Sequence, residues 1–541
     1  MKTYLLYQDR EWLDTKPYFD EKSIIQDLGL RILYMMAARE VIVEGGNVKA
    51  ISMPDTFIEE TVKTVMMVPL ETEEEIRYRQ QVLRDSLENP EFTIGLYDIS
   101  CEVLKKWDEM GRKDKQKVGQ KDPVSNLVGD IHLMELFCNG LTRIKALFQE
   151  YEGKLMSPGY KELKKRLEEI FTDEVQESLQ QILKDISFYG EGMTVDEVSG
   201  NKLVMRPDME LECTLGEGFK LEGFKLESLT SKVMKYRSPA STISKVQTFI
   251  NSRVPDSIQI PEDTLLRDEA YQLDWGIVRH VMNYCSAFMF RFQKFFDHLH
   301  FQTAFYRGAV NLADHYKRFE LEYCYPKVSD KGTLRFTELK EVVMAMEQRI
   351  LPVGNTCDME DVMLLIVTGA NQGGKSTFLR SVGIAQVLMQ CGLMVTAKSF
   401  ESGIFPSLFT HFTRREDSAM NSGRLDEELG RMNQIVEHLG ERSLVLLNES
   451  FATTTEKEGS VIAYDIIKAL NEAGVKVLTV THLLSFAQRM YDEAAKGQGV
   501  EFFSAQRLPD GSRTFKMIQH EPELTSFGLD LYERIVLAKQ D

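Results

Sequence analysis

At 541 residues the chain exceeds what one hydrophobic core organises and predicts roughly three to five domains or subdomains. Hydrophobic residues make up 43% and charged residues 27%, and no apolar run approaches the ~20 residues that span a bilayer, so no membrane partner is expected. A formal charge of −18, from 65 basic and 83 acidic residues, argues against nonspecific coating of nucleic acid but allows a locally basic groove. The start MKTYLLYQDREW turns charged too early for a secretory signal, and seven scattered cysteines form no CxxC pair. The expectation is a reduced, cytoplasmic protein without a zinc site or disulfide framework.

In the N-terminal region, 1–120, EEEIRYRQQVLRDSL from Glu73 to Leu87 spaces Ile76, Val82, Leu83 and Leu87 along one helix face. The strongest basic run, Lys105–Lys121, is more often a solvated loop than a nucleic-acid contact. From 121 to 335 the pattern is mainly helical. VGDIHLMELFCNGLTRIKALFQEY predicts a long amphipathic helix, and YKELKKRLEEIF and VQESLQQILKDI predict two shorter ones. Residues 200–262, with the short near-repeat EGFKLEGFKLE, predict an irregular or β-containing insertion. Between Asp268 and Tyr325 one or two helices well beyond average length are expected. The histidines there, His280, His298, His300 and His315, suit packing or surface roles, because no metal-ligand set converges on them. After a linker near KVSDKGTLRF, the segment 336–541 alternates short apolar runs with helical stretches, which is an α/β pattern.

Three of those apolar runs end in chemistry-bearing residues. GANQGGKST, Gly369–Thr377, follows the strand MLLIVT and opens a helix, which is the context a phosphate-binding loop needs. Lys375 would hold the β- and γ-phosphates, Ser376 would offer an oxygen to Mg²⁺, and Thr377 would fix the first helical turn. SLVLLNE ends in Asn448-Glu449, where Glu449 is placed to orient the attacking water. Asn448 stands where a magnesium-linked aspartate is usual; its amide oxygen still accepts a bond but brings no charge. VLTVTH ends in His482, placed to sense the γ-phosphate or the water, with a strand cap as the alternative. NSGRLDEELGRM, Asn421–Met432, is a Ser-Gly turn before an amphipathic helix and could present N–H groups to an anion.

These residues resemble the ATPase domain of the MutS family of DNA mismatch-recognition proteins, within the ABC-type ATPases. The family's loop GPNMGGKST is matched at Gly369, Asn371, Gly373, Gly374, Lys375, Ser376 and Thr377, with Ala370 and Gln372 replacing Pro and Met. The family's Asp-Glu pair falls on Asn448-Glu449, and its Thr-His switch on Thr481-His482. Its Gly-Arg-Gly-Thr turn is replaced by SFATT at Ser450–Thr454. ELTSFGLDLYERIV resembles the segment leading to the dimerising helices. PLETEEEIRYRQQVLRDSL resembles the opening of the helical core, and Leu299–Tyr316 the end of the lever helices.

The resemblance implies a helical core with long lever helices, followed by a C-terminal P-loop ATPase domain that binds ATP and Mg²⁺. It further implies a homodimer with composite sites, in which a signature serine reaches the partner's nucleotide. If Glu428 matches the family's signature glutamate, that position falls on Ser422 and Gly423. A reduced clamp is expected within 190–262; the mismatch-reading domain, the connector and an endonuclease-like tail are not recognised. The functional expectation is a dimeric, DNA-binding ATPase of repair or recombination, with repair proteins as further partners. Its alternative is a nucleotide-regulated protein–protein clamp or scaffold.

Overall fold

The three motif-bearing runs become neighbouring parallel strands of one sheet in the computed structural model. The structure describes residues 3–9, 15–44, 47–116, 123–174, 176–177, 203–215, 221–235, 264–413, 423–494, 499–508 and 512–523. The expected helix at 175–186 and the C-terminal segment 524–536 lie essentially outside the described residues, as does Ser422. The chain divides into two compact units. One holds Met1–Thr3, Gly95–Glu152 and Leu163–His300; the other holds Tyr4–Ile94, Gly153–Glu162 and Phe301–Asp541.

The first unit is built on helix Pro90–Gln116 from Gly95 onward, helix Pro123–Glu150, helix Pro158–Ile170 from Leu163 onward, the helix Thr264–Arg318 up to His300, and a hairpin. The predicted loop at Lys105–Lys121 is corrected: Lys105 to Gln116 continues the helix. Its good helix formers favour that state, and the Lys106–Glu102 pair lies one turn apart on the helix face. Gly140 sits where a Cβ would come 2.7 Å from the Phe296 ring and 2.8 Å from Val103, so glycine lets these helices close up. Phe137 stacks on Phe296 at 5.6 Å, and the His300 ring stacks on Tyr97 and meets Ser100 Oγ at 3.3 Å. His300 is therefore a packed core histidine. Within 200–262 the β-containing reading takes the form of an antiparallel hairpin, β3 (Leu203–Leu215) with β4 (Leu221–Lys235).

In the second unit, helix Glu73–Glu88 begins where the Thr72 side chain accepts the Glu75 N–H, and it buries Ile76, Val82 and Leu83 as its spacing requires. Arg79, wholly buried, donates to the carbonyls of Leu6 (3.2 Å) and Cys391 (3.1 Å) and lies over the Tyr7 ring. A small hairpin joins β1 (Val41–Glu44) to β2 (Asn47–Ile51). The last turns of Thr264–Arg318 pack here: Asn311 donates to the Ala37 carbonyl at 2.7 Å and His315 Nε2 bonds the Arg39 carbonyl at 3.0 Å.

The linker expected near KVSDKGTLRF is instead sheet. β5 (Lys327–Val328), β9 (Ser399–Ser402), β6 (Leu334–Leu339) and β7 (Asn355–Met359) lie side by side in that order. Phe336 and Leu339 bury their side chains there, which a free linker would not do. The larger sheet has six strands in the order β10 (Ser407–Phe412), β11 (Ser443–Asn448), β12 (Lys476–Val480), β8 (Leu364–Thr368), β13 (Val500–Arg507), β14 (Arg513–Gln519). The first five are parallel and β14 is antiparallel. β8 and β12 are buried along their whole lengths, and β11 up to Leu447, as strands covered on both faces must be. One face packs on helices Arg424–Glu437, Glu456–Glu472 and Leu484–Ala494 through Met432, Ile467 and Phe486. On the other lies helix Lys375–Gln390, where a Cβ on Gly383 would come 2.7 Å from both Leu446 and Leu28.

Candidate functional site

β8 is flanked by β12 and β13, so its C-terminal end opens onto the crevice where parallel sheets receive ligands. The loop Gly369–Gly374 leaves that end. Gly369 (φ 106) and Gly374 (φ 95) take left-handed conformations, and Gln372 does so without glycine's freedom (φ 59). A Cβ on Gly373 would lie 2.8 Å from Ala505 Cβ, so the loop closes against β13 only with glycine there. Gly374 begins the helix Lys375–Gln390, whose first N–H groups face the loop and favour an anion.

Lys375 is buried, and its Nζ donates to the carbonyls of Gly369 (2.8 Å) and Ala370 (3.2 Å). Burial holds its ammonium below the usual lysine range, while the Glu449 and Glu523 carboxylates pull the other way. Asn371 and Ser376 are exposed and Thr377 is half-buried, so their polar groups border the loop's open side.

Glu449 follows β11 in a left-handed conformation (φ 56), and its N–H bonds the Val480 carbonyl at 2.8 Å, tying the loop to β12. Thr481 N–H in turn bonds the Val367 carbonyl of β8 at 3.1 Å. Through these ties Glu449 Oε2 meets His482 Nδ1 in a hydrogen-bonded pair. That bond is the main reason His482 holds its proton above the ordinary histidine range; burial opposes it and the nearby Lys375 charge works against it too. Asn448 Oδ1 is buried and has no hydrogen-bond partner among the described residues. An orphaned acceptor at the strand end suits a hard cation or a metal-bound water. Among the described residues no group of three or more His, Cys, Asp or Glu could hold a metal. A Mg²⁺ with one or two protein contacts, completed by phosphates and water, is the form this donor set fits.

Gly423 begins helix Arg424–Glu437 in an extended conformation, and a Cβ there would meet nothing within 4 Å. Its neighbour Ser422, the other expected signature position, is outside the described residues. The sequence reading missed the approach of β14 to the loop. Arg513 donates to Gln372 Oε1 at 3.0 Å, the half-exposed Phe515 ring lies 3.6 Å from where a Gly374 Cβ would stand, and Asn355 pins the hairpin by accepting the Met517 N–H at 2.7 Å. Glu523, whose N–H reaches Thr368 Oγ1 at 3.4 Å, adds a half-buried acid beside the loop. No motif flags these residues, since sheet pairing alone brings them in from some 140 positions away.

Residues 71–319 match the MutS2 N-terminal domain and residues 365–540 match MutS domain V. The chain is 31% identical over 169 residues to the DNA mismatch repair protein MutS of Lactobacillus delbrueckii subsp. bulgaricus, covering 30% of this chain and 19% of that protein. It is 29% identical over 185 residues to the Endonuclease MutS2 of Carboxydothermus hydrogenoformans, covering 34% and 23%. A MutS of Leptospira interrogans is 26% identical over 273 residues, covering 48% and 31%. The matched stretches thus span less than a third of each relative's length. The chain thus carries a MutS2 N-terminal domain leading to a P-loop-type MutS domain V, and is a MutS2-like protein.

Proposed function

We propose that the chain is a dimeric, DNA-binding ATPase whose nucleotide state governs its grip on DNA, acting in DNA repair or recombination. MutS domain V is an ATP-binding module, and one observation carries the reading furthest: Glu449 pairs with His482 while its carboxylate acts on Lys375, beside a glycine-built loop at a helix start. In this reading the loop from Gly369 to Thr377 cradles the phosphates, and Lys375 leaves its two carbonyls to meet them. Glu449 orients the water and takes its proton, while His482 fixes the carboxylate and responds to the phosphate it faces. Ser376 and Asn448 would hold Mg²⁺, which neutralises phosphate charge when bound. A second copy would complete the site through Ser422 and Gly423 at its helix start.

The proposal is tested by titrating duplex, mismatched, branched and single-stranded DNA at several salt concentrations, with and without MgATP. Salt-sensitive binding that changes with nucleotide in the wild type and loses that change in Lys375→Ala supports it. The acidic balance of −18 favours one alternative, a nucleotide-regulated protein–protein clamp or scaffold that does not bind DNA. Absence of DNA binding at low salt would select that alternative.

A further inference from the structure

We infer that Glu428 and Thr453 are positioning residues, whose half-buried contact fastens helix Arg424–Glu437 to the loop carrying Glu449. The inference rests on the ATPase reading of Glu449. Glu428 is 6% exposed and its Oε2 accepts the Thr453 hydroxyl at 2.7 Å; burial raises its carboxyl above the usual range, opposed by that hydroxyl and by the Phe451 N–H of the same loop. Met432 and Ile435, four and seven positions on, share its helix face and pack on the sheet as apolar residues. A methionine at 428 would extend that packing and bury no carboxylate. The acid's distinctive contribution is its grip on the loop.

A second tie runs alongside the first. The fully buried His411 ring meets Ser450 Oγ at 2.7 Å through Nδ1 and the Glu428 carbonyl at 3.1 Å through Nε2. Its ring also stacks on Phe451 at 5.7 Å. Glu449 (φ 56) and Phe451 (φ 63) both hold left-handed conformations that disfavour side chains, so the loop keeps its shape only while its surroundings enforce it. Glu428, Thr453, Ser450 and His411 supply part of that enforcement, alongside the Glu449 N–H bond to the Val480 carbonyl and the Thr413 hydroxyl on the Glu449 carbonyl at 2.8 Å. A displacement of the helix that starts at Gly423 would reach Glu449 through these two ties.

The test uses the full chain and reads kcat and KM for ATP. Thr453→Val and Glu428→Met should each lower kcat ~10-fold with KM unchanged, as loss of one charge-assisted hydrogen bond implies. Thr453→Ser should restore turnover, and the double variant should lose no more than the worse single one. Wild-type kcat in either single variant, a loss confined to KM, or losses that multiply in the double variant would overturn the inference. Hydrogen exchange of residues 449–454 needs no turnover: faster exchange in both single variants supports the tie, and unchanged exchange overturns it. Absence of nucleotide binding by the wild type would instead refute the ATPase reading beneath it.

Discussion

Lys476 offers a test of the sheet's interior in which the sign can be worked through. It opens β12 with 2% of its surface exposed, and its Nζ donates to the carbonyls of Lys331 (2.9 Å) and Thr333 (3.0 Å). Among the described residues no carboxylate pairs with it, and burial pushes its pKa down from 10.5 to about 7. Below about 7 both folded and unfolded chains carry the proton, so the cost of burying the charge is present in full and constant. Between about 7 and 10.5 the unfolded chain binds a proton that the folded chain does not. Folding stability therefore rises with pH there, by about 1.4 kcal/mol per pH unit. Lys476→Met removes that slope at similar length and leaves two carbonyls without their donor, a loss of roughly 1–3 kcal/mol. The substitution should thus be near neutral or stabilising at pH 6.5 and clearly destabilising at pH 9.5. Urea unfolding followed by circular dichroism across this range gives the wild-type-minus-variant difference at each pH. A difference that stays flat with pH would refute the reasoning.

The remaining predictions concern the phosphate site. Asn448→Asp adds the missing charge beside the proposed cation and should lower the Mg²⁺ needed for half-maximal nucleotide binding by ~10-fold; an unchanged Mg²⁺ dependence would mean that Asn448 does not face the ion. The His482 ring, followed by NMR of histidine-labelled protein, should titrate above the ordinary value and fall back in Glu449→Gln. Because the folded-state value is raised, the pair's stabilisation is complete below the unfolded histidine pKa and is lost as pH rises through the raised value. A ring that titrates identically in both proteins would remove Glu449 as the cause.

The P-loop domain was legible because its signals are local. Gly369–Thr377 sets glycines at left-handed positions between a buried strand and a helix start, and the strands ending at Asn448 and Val480 repeat the buried run that delivers chemistry-bearing residues. Helix continuity was less legible. The pattern between Asp268 and Tyr325 left one helix or two open; Gly308 sits where a Cβ would come 2.5 Å from Val62, so glycine serves close packing without ending the 55-residue helix. The basic run after Lys105 read as loop because charge was weighed above helix propensity. The contacts of Arg79 and of the β14 hairpin were invisible for another reason: their meaning comes from partners far away in sequence, such as Cys391 for Arg79 and Gln372 for Arg513. No periodicity or motif encodes such pairings.

The central claim is that the Lys375–Glu449–His482 locus hydrolyses ATP. Single-turnover hydrolysis and nucleotide binding, compared between the wild type and Glu449→Gln, test it most directly. The account predicts that both proteins bind MgATP with affinities within a few-fold, and that hydrolysis falls by roughly 10²–10⁴ in the variant, as loss of a general base implies. Hydrolysis by Glu449→Gln at the wild-type rate, or a wild type that does not bind MgATP, would contradict it.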